Sequence, residues 1–344
     1  IDGYNNAKAA YAQAVNGQSF SGLTYQDAKS QEAFAAGQKV VNGYNDAFNK
    51  RSEDTTNDSS DAYQATKDAY NDANANTKRD LSTSSLDYVT AYNYAMKMAK
   101  DARNDGASQF VSHGTTDFGS QTLANDAQSN GAAAAENGKN DAKNNKSTND
   151  STDSAYLIGF NSLSGASDGS EDAKNGNGIK SADELSKDGK DQNYINAYTD
   201  GYNGTKAGYI DGQDDKQKAD LSKQSQSYKD AYNNAYNDAK TIANQGALDA
   251  LSNKSNLTGY NVLQQNAYNA GQNNANSAYA WAHDDVNNKN KFINNSDASD
   301  IFNGAQAGFS DGKLGNVANV TSQTAVYQAA YNNARSQAGA QTVQ

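Results

Sequence analysis

Few residues in this chain of 344 are equipped for chemistry, and their spacing rules most of it out. There is no cysteine, which excludes thiol nucleophiles, disulfides and thiolate metal sites; His113 and His283, the only histidines, lie far apart and outside any HExxH-type pattern. His283 has the better neighbours. It sits in YAWAHDD at 279–285 beside Asp284, Asp285 and the single tryptophan, Trp281, the best local candidate for an aromatic-plus-carboxylate sugar site. On a helix, Tyr279, Trp281 and His283 splay around the axis instead of converging on one ligand, which favours Trp281 as an anchor of the core. The segment DAKNGNGIKSADEL at 172–185 gathers the hard oxygen donors Asp172, Asn175, Asn177 and Asp183 in the manner of a calcium loop. The EF-hand register fails, because its third position is Lys174 and its fifth Gly176, so 168–184 reads as a solvated, Gly-rich loop. Paired carboxylates (Asp214 and Asp215, Glu171 and Asp172, Asp183 and Glu184) fall in polar tracts, without the burial that raises one pKa in a glycosidase. With no P-loop or dinucleotide fingerprint, the expectation is no enzyme and no catalytic, cofactor-binding or metal residue.

Charge narrows the partners. Acidic residues outnumber basic ones 40 to 29, giving a net charge of −11, which repels nucleic acid and anionic lipid. The arginines (Arg51, Arg79, Arg103, Arg335) are scattered and form no basic patch. No apolar run is long enough to insert in a membrane.

The elements that must position these residues announce themselves as a repeat. A hexapeptide of the form [DN]-[AG]-Y-[NT]-[DN]-[AG] recurs as DGYNNA at 2–7, NGYNDA at 42–47, DAYNDA at 68–73, NAYTDG at 196–201, DAYNNA at 230–235 and NAYNDA at 234–239. Read at helical pitch, it extends into rows of small residues at every fourth position, each followed by an aromatic. Ala231, Ala235, Ala239, Ala243 and Ala247 form one row, with Tyr232 and Tyr236 beside it; Ala65, Ala69 and Ala73 form another, and Ala91, Ala95 and Ala99 a third. Two copies use glycine: YNGTKAGYIDG carries Gly204, Gly208 and Gly212, and FNGAQAGFSDG carries Gly304, Gly308 and Gly312. A helical glycine costs about 1 kcal/mol relative to alanine. Six of them need a reason, and close approach of a second helix along a shallow ridge, with Tyr rings covering the groove, supplies it. The same faces carry too much Asn, Asp and Lys for lipid, so the partner helix is expected in water, within the chain or on a second copy.

These rows predict an all-α fold, a helical-repeat or multi-helix bundle in which Ala and Tyr replace the scarce aliphatic residues of an ordinary core. The complete absence of proline fits long helices, where it would cost about 3 kcal/mol. Ser, Thr, Asn and Asp punctuate instead, as in STSSLDY at 82–88, NVTSQTAVY at 319–327 and the run 147–154, and are expected to cap the helices that follow. Composition divides the chain into helical repeats at 1–125, a looser Gly/Asn/Asp/Lys-rich middle at 126–192, and helical repeats again at 193–344, or else one continuous domain.

Laid side by side, the hexapeptides and the two glycine strings resemble the Tyr/Asn/Ala/Gly-rich repeat regions of secreted or cell-wall-associated surface proteins of lactobacilli and related Gram-positive bacteria. The resemblance implies an extracellular or surface location and a structural or adhesive role, with the chain itself or cell-surface glycans and proteins as partners. A self-assembling scaffold is the first expectation, and a carbohydrate-binding adhesin using exposed aromatic faces is its alternative.

Overall fold

The computed structural model describes residues 2–19, 27–148, 151–216, 218–284 and 295–341; Asn149 and Asp150 of the 147–154 run, and Asp285, lie outside them. Among the described residues there are twelve helices and no strand, so the protein is all-α. In chain order they are α1 (Asp2–Val15), α2 (Ala28–Phe48), α3 (Ser60–Asn74), α4 (Leu86–His113), α5 (Leu123–Lys143), α6 (Ser154–Lys174), the short α7 (Ala182–Lys187), α8 (Gln192–Gln213), α9 (Gln226–Leu251), α10 (Val262–Asp284), α11 (Ser296–Leu314) and α12 (Ala325–Gln341). The chain forms two compact units, Ile1–Asn161 and Ser162–Gln344.

Local chemistry sets the helix ends. Side-chain oxygens of Asp27, Ser59, Ser85, Thr122, Ser181, Asp191, Ser225 and Asn295 each accept a backbone N–H of the first turn they precede. At the other end the chain turns through a left-handed residue. Lys50, Asn76, Asn145, Asp215 and Asn253 all have φ between 51° and 55°, and Gly176 and Gly315 take the same place in two more copies.

The core is made of the residue types that the repeat predicts. Ala65, Ala69, Ala95, Ala99, Ala239 and Ala330 are buried, and so are the rings of Tyr92, Tyr198, Tyr232, Tyr268 and Tyr331. Glycines bring the backbones together. A Cβ on Gly204 would stand 2.6 Å from the carbonyl oxygen of Tyr228, and those on Gly208 and Gly212 would collide with the carbonyls of Tyr232 and Tyr236. Such contact puts Cα–H groups against carbonyl oxygens, a weak but recurrent attraction between closely packed helices.

The partners of these glycines reveal the direction of travel. Along α8 they ascend in step with their partners on α9; Gly304 and Gly308 do the same against Tyr327 and Tyr331, and Gly165 and Gly169 against Tyr194 and Tyr198. Consecutive helices in these pairs therefore run parallel, not antiparallel as in an αα-hairpin with its 2–5-residue loop. In these pairs the next helix starts part-way along the one it follows, as Tyr228 at the start of α9 meets Gly204 in the second half of α8. A helix thus packs its first half on its predecessor and its second half on its successor: Gly37 meets α1 and Gly43 meets α3, while Gly201 meets α6 and Gly204 meets α9.

Within each unit the register closes every third helix. Tyr11 of α1 donates to Asp87 at the start of α4, Lys50 after α2 pairs with Asp126 of α5, and Asn76 after α3 reaches Thr152 just before α6. In the second unit Asp215 after α8 accepts the Ser296 N–H of α11, and the Leu251 carbonyl of α9 accepts the Asn333 amide of α12. Each unit is a coil of parallel helices, three to a turn, stacked end over end in columns.

Residues 126–192, loose by composition, carry much of α5, all of α6 and the short α7. Their small residues do the packing: Ala127, Gly131, Ala132, Ala135 and Gly138 are the buried face of α5. The Asn, Lys and Asp that dominate the composition lie mostly on the faces turned to water.

Candidate functional site

One arrangement of functional side chains recurs at the connections. The last turn of a helix carries an aspartate whose carboxylate accepts the hydroxyl of a buried tyrosine from the next long helix, the short α7 being passed over: Tyr92 on Asp72 (2.8 Å), Tyr198 on Asp172 (2.7 Å), Tyr232 on Asp211 (2.8 Å), Tyr268 on Asp249 (2.7 Å) and Tyr331 on Asp311 (2.7 Å). The same hydroxyl accepts a backbone N–H from the connection, from Arg79, Lys180, Ala219, Asn256 and Ala318 in turn. The backbone carbonyl of that aspartate closes the helix end by accepting from Thr77, Asn177, Lys216, Lys254 and Asn316. The carbonyls of four of these residues then accept from the residue one turn beyond the clamp tyrosine: Tyr202, Tyr236, Gln272 and Arg335. A second aspartate three turns upstream ties down the next helix's cap, Asp61 accepting Ser85, Asp200 accepting Ser225 and Asp300 accepting Thr324.

The electrostatics keep this joint closed. Burial, then the facing aspartate, push the Tyr198 phenol up to about 12; at Tyr232, also at about 12, burial again leads and Asp211 adds to it. Both stay protonated donors at any ordinary pH. At Asp72 the Arg79 guanidinium holds the carboxyl below its ordinary value. Burial pushes Asp172 up, but Asn177, Tyr198 and Lys180 together outweigh it and leave the carboxyl low. Tyr331→Phe keeps the ring and deletes the hydroxyl. It is expected to cost about 1–3 kcal/mol, the penalty of an orphaned Ala318 N–H and a lost bond to Asp311, read as a lower urea midpoint. An unchanged midpoint would show that water replaces the hydroxyl.

The residues that the sequence singles out are distributed by this architecture. Asp172 and Asn177 of the calcium-like segment bond to each other and to the Tyr198 and Tyr202 hydroxyls, and among the described residues no group of three or more His, Asp and Glu could hold a metal ion. Tyr279 and His283 share one face of α10 against Phe309, with ring centroids 5.5 and 5.1 Å away, while Trp281 packs on the core between α10 and its neighbours. The three do not converge. Asp215, of the pair Asp214 and Asp215, has a different use: it bridges Lys240 (2.5 Å) and the start of α11.

Next to that bridge lies Asp297, half-buried, accepting from Asn244 (3.0 Å). Burial raises its carboxyl above the ordinary value, Asn244 opposes, and the neighbouring Asp215 adds to the rise. A carboxyl raised on folding contributes stability that is full below the unfolded pKa and is lost as pH rises through the folded one. Asp297→Asn, which keeps the acceptor oxygen for Asn244, is therefore expected to melt above the parent at pH 7, with the gap closing toward pH 3. The α11 N-terminus works the other way by about 0.3–1 kcal/mol. A variant that melts lower at pH 7 would mean that this field outweighs the burial.

Compared with known proteins, the chain matches no family model, no curated protein and no solved structure. No helix among the described residues is long and apolar enough to cross a membrane.

Proposed function

We propose that this chain is a non-enzymatic structural element of a cell surface, a helical-repeat scaffold that assembles helix against helix and, through its small-residue ridges, copy against copy. The observation that carries the reading is the recurring joint: one set of donors and acceptors rebuilt at five connections whose loop sequences differ. A joint repeated in this way carries position, whereas a reaction site is normally built once. A lack of cysteine and an acidic surface suit an extracellular setting.

Light scattering behind a sizing column, over a concentration series, tests the assembly. Mass is expected to rise above the 36.4 kDa of one chain as concentration increases, and a constant single-chain mass would sink self-assembly. Antibody labelling of intact producing cells tests the location. A second reading, a surface adhesin that holds glycans on exposed aromatic faces, is favoured by one feature: Tyr94, 54 % exposed, stands at the edge of an open cleft.

A further inference from the structure

Stacking helices end over end leaves a gap wherever one helix stops and the third helix after it begins, and three such junctions among the described residues differ in how they fill it. Between α8 and α11, beside α9, almost nothing remains, about 10 Å³, because Asp215, Lys240 and Asp297 crowd into it. Between α1 and α4, beside α2, a cleft of about 280 Å³ stays open. Between α9 and α12, beside α10, the opening is about 460 Å³. Charged side chains line the closed junction and neither of the open ones, in a chain that is 20 % charged.

The α1–α2–α4 cleft has a defined chemistry. Val15 and Val40 give it an apolar floor, Asn45 and Thr90 supply neutral donors and acceptors, and Tyr44 and Tyr94 form its aromatic side. Those two rings meet edge to face, 5.0 Å between centroids at 75°, so Tyr44 braces Tyr94 from one side and leaves it more than half exposed. Tyr70 is buried beside Tyr44, and burial first, then the Tyr44 and Tyr94 phenols, push its own phenol up. The open α9–α12 junction repeats the theme with Tyr279 among the carboxamides Asn276 and Gln337.

We propose that the α1–α2–α4 cleft binds a neutral hexopyranoside, its apolar C–H face laid on Tyr94 and its hydroxyls taken by Asn45 and Thr90. An ionic ligand would find no counter-charge here. A purely apolar one would bury the amide and hydroxyl groups unpaired, at a cost that a polyhydroxylated ring avoids. A sugar ring presents both characters at once, and the size of the cleft suits a small ligand held at the rim of a larger chain. The proposal rests on the adhesin reading and gives that reading a site, at a place other than the Trp281 segment.

Saturation-transfer NMR on the full chain, with maltotriose, chitotriose and lactose as probes, tests it. At least one sugar is expected to take up saturation; Tyr94→Ala should weaken the transfer tenfold or more, while Tyr94→Phe, which keeps the ring, and Tyr279→Ala, in the other open junction, should retain it. Tyr94 is exposed, so its two variants are expected to melt with the parent, and a melting curve on all three confirms that loss of signal is not loss of fold. No transfer to any of the three sugars overturns the proposal, and so does transfer that survives Tyr94→Ala. If Tyr94→Ala instead abolishes concentration-dependent mass in light scattering and no sugar responds, the cleft is a contact between copies and the saccharide site is refuted. A silent NMR experiment with surface labelling of cells intact refutes this site and leaves the surface location standing.

Discussion

Gly208→Leu and Gly308→Leu unfold well below the parent chain, each losing about 2–4 kcal/mol, equivalent to about 2–4 °C per kcal/mol for a unit of this size. The sign is informative because helix propensity alone predicts the reverse: leucine is a better helix former than glycine by almost 1 kcal/mol. A Cβ on Gly208 would strike the Tyr232 carbonyl, with the Ala235 methyl 2.9 Å away, and a Cβ on Gly308 would strike the Tyr331 carbonyl, with the Ala334 methyl 3.0 Å away. Backbone cannot rotate aside as a side chain can, so the helices must separate and surrender the Tyr and Ala contacts along the ridge. Gly339→Ala is the control. Nothing lies within 4 Å of a Cβ there, and the substitution is expected to leave stability unchanged or raise it by less than about 1 kcal/mol. Thermal melts of the three variants, followed by circular dichroism, check all of this; a rise in midpoint for both leucine variants would place the ridges on a solvated face and dismantle the packing scheme.

Arg103→Ala is the second large loss, about 3 kcal/mol or more. Arg103 is 5 % exposed, the most buried charge among the described residues, and grips Asp153 with both terminal nitrogens (2.8 and 3.1 Å) while Nε donates to Asn130 (2.9 Å). The fork joins α4 to α5 and to the residue just before α6, a place where Asp153 also caps the Ala155 N–H. Truncating the arginine strands a largely buried carboxylate, and removing one partner of a buried pair costs about 3–5 kcal/mol. The double variant Arg103→Ala with Asp153→Ala should recover part of the loss, since the stranded charge goes with it. If the single variant unfolds with the parent in a urea titration, the pair is solvated and contributes little.

Much of the fold is visible in the residues themselves, and the part that is not has a definite cause. Periodicity reports which residues share a face, so the rows Gly204–Gly212 and Ala231–Ala247 declare close helix contacts, and Ser85, Ser225 and Thr324 declare helix starts. Periodicity is blind to direction, because a ridge reads the same whether its partner runs up or down; only the paired contacts of Gly204 with Tyr228 and Gly212 with Tyr236 show that the helices are parallel. The aspartate–tyrosine joint stands in the sequence as the D-[AG] step at helix ends, but its separation changes with each connection, from Asp249 and Tyr268 to Asp172 and Tyr198, and no fixed spacing exposes it. Composition misleads at 126–192 because helices that pack through Gly and Ala need no large apolar residues, and their polar remainder resembles a linker. Trp281, the single tryptophan, is the local sugar-site candidate by residue type, and it packs on the core. Nothing in the periodicity of the 91–99 row marks Tyr94, and only burial separates the ring that packs, Tyr92, from the ring left facing a cleft.

The three-to-a-turn register has a bearing on how such a chain can change over generations. A helix within a unit touches its next three successors and little else, so a duplicated or deleted stretch of one helix with its connection passes each column on to the following member of the series. Since α3, α6, α8, α9 and α11 all end on the same aspartate and left-handed turn, a newcomer of that kind finds its contacts already waiting. Length can then drift by recombination between like segments, one helix at a time, without a redesigned core. On that footing the departures from the series, such as the uncharged clefts, are the places where selection for something other than stacking is to be sought.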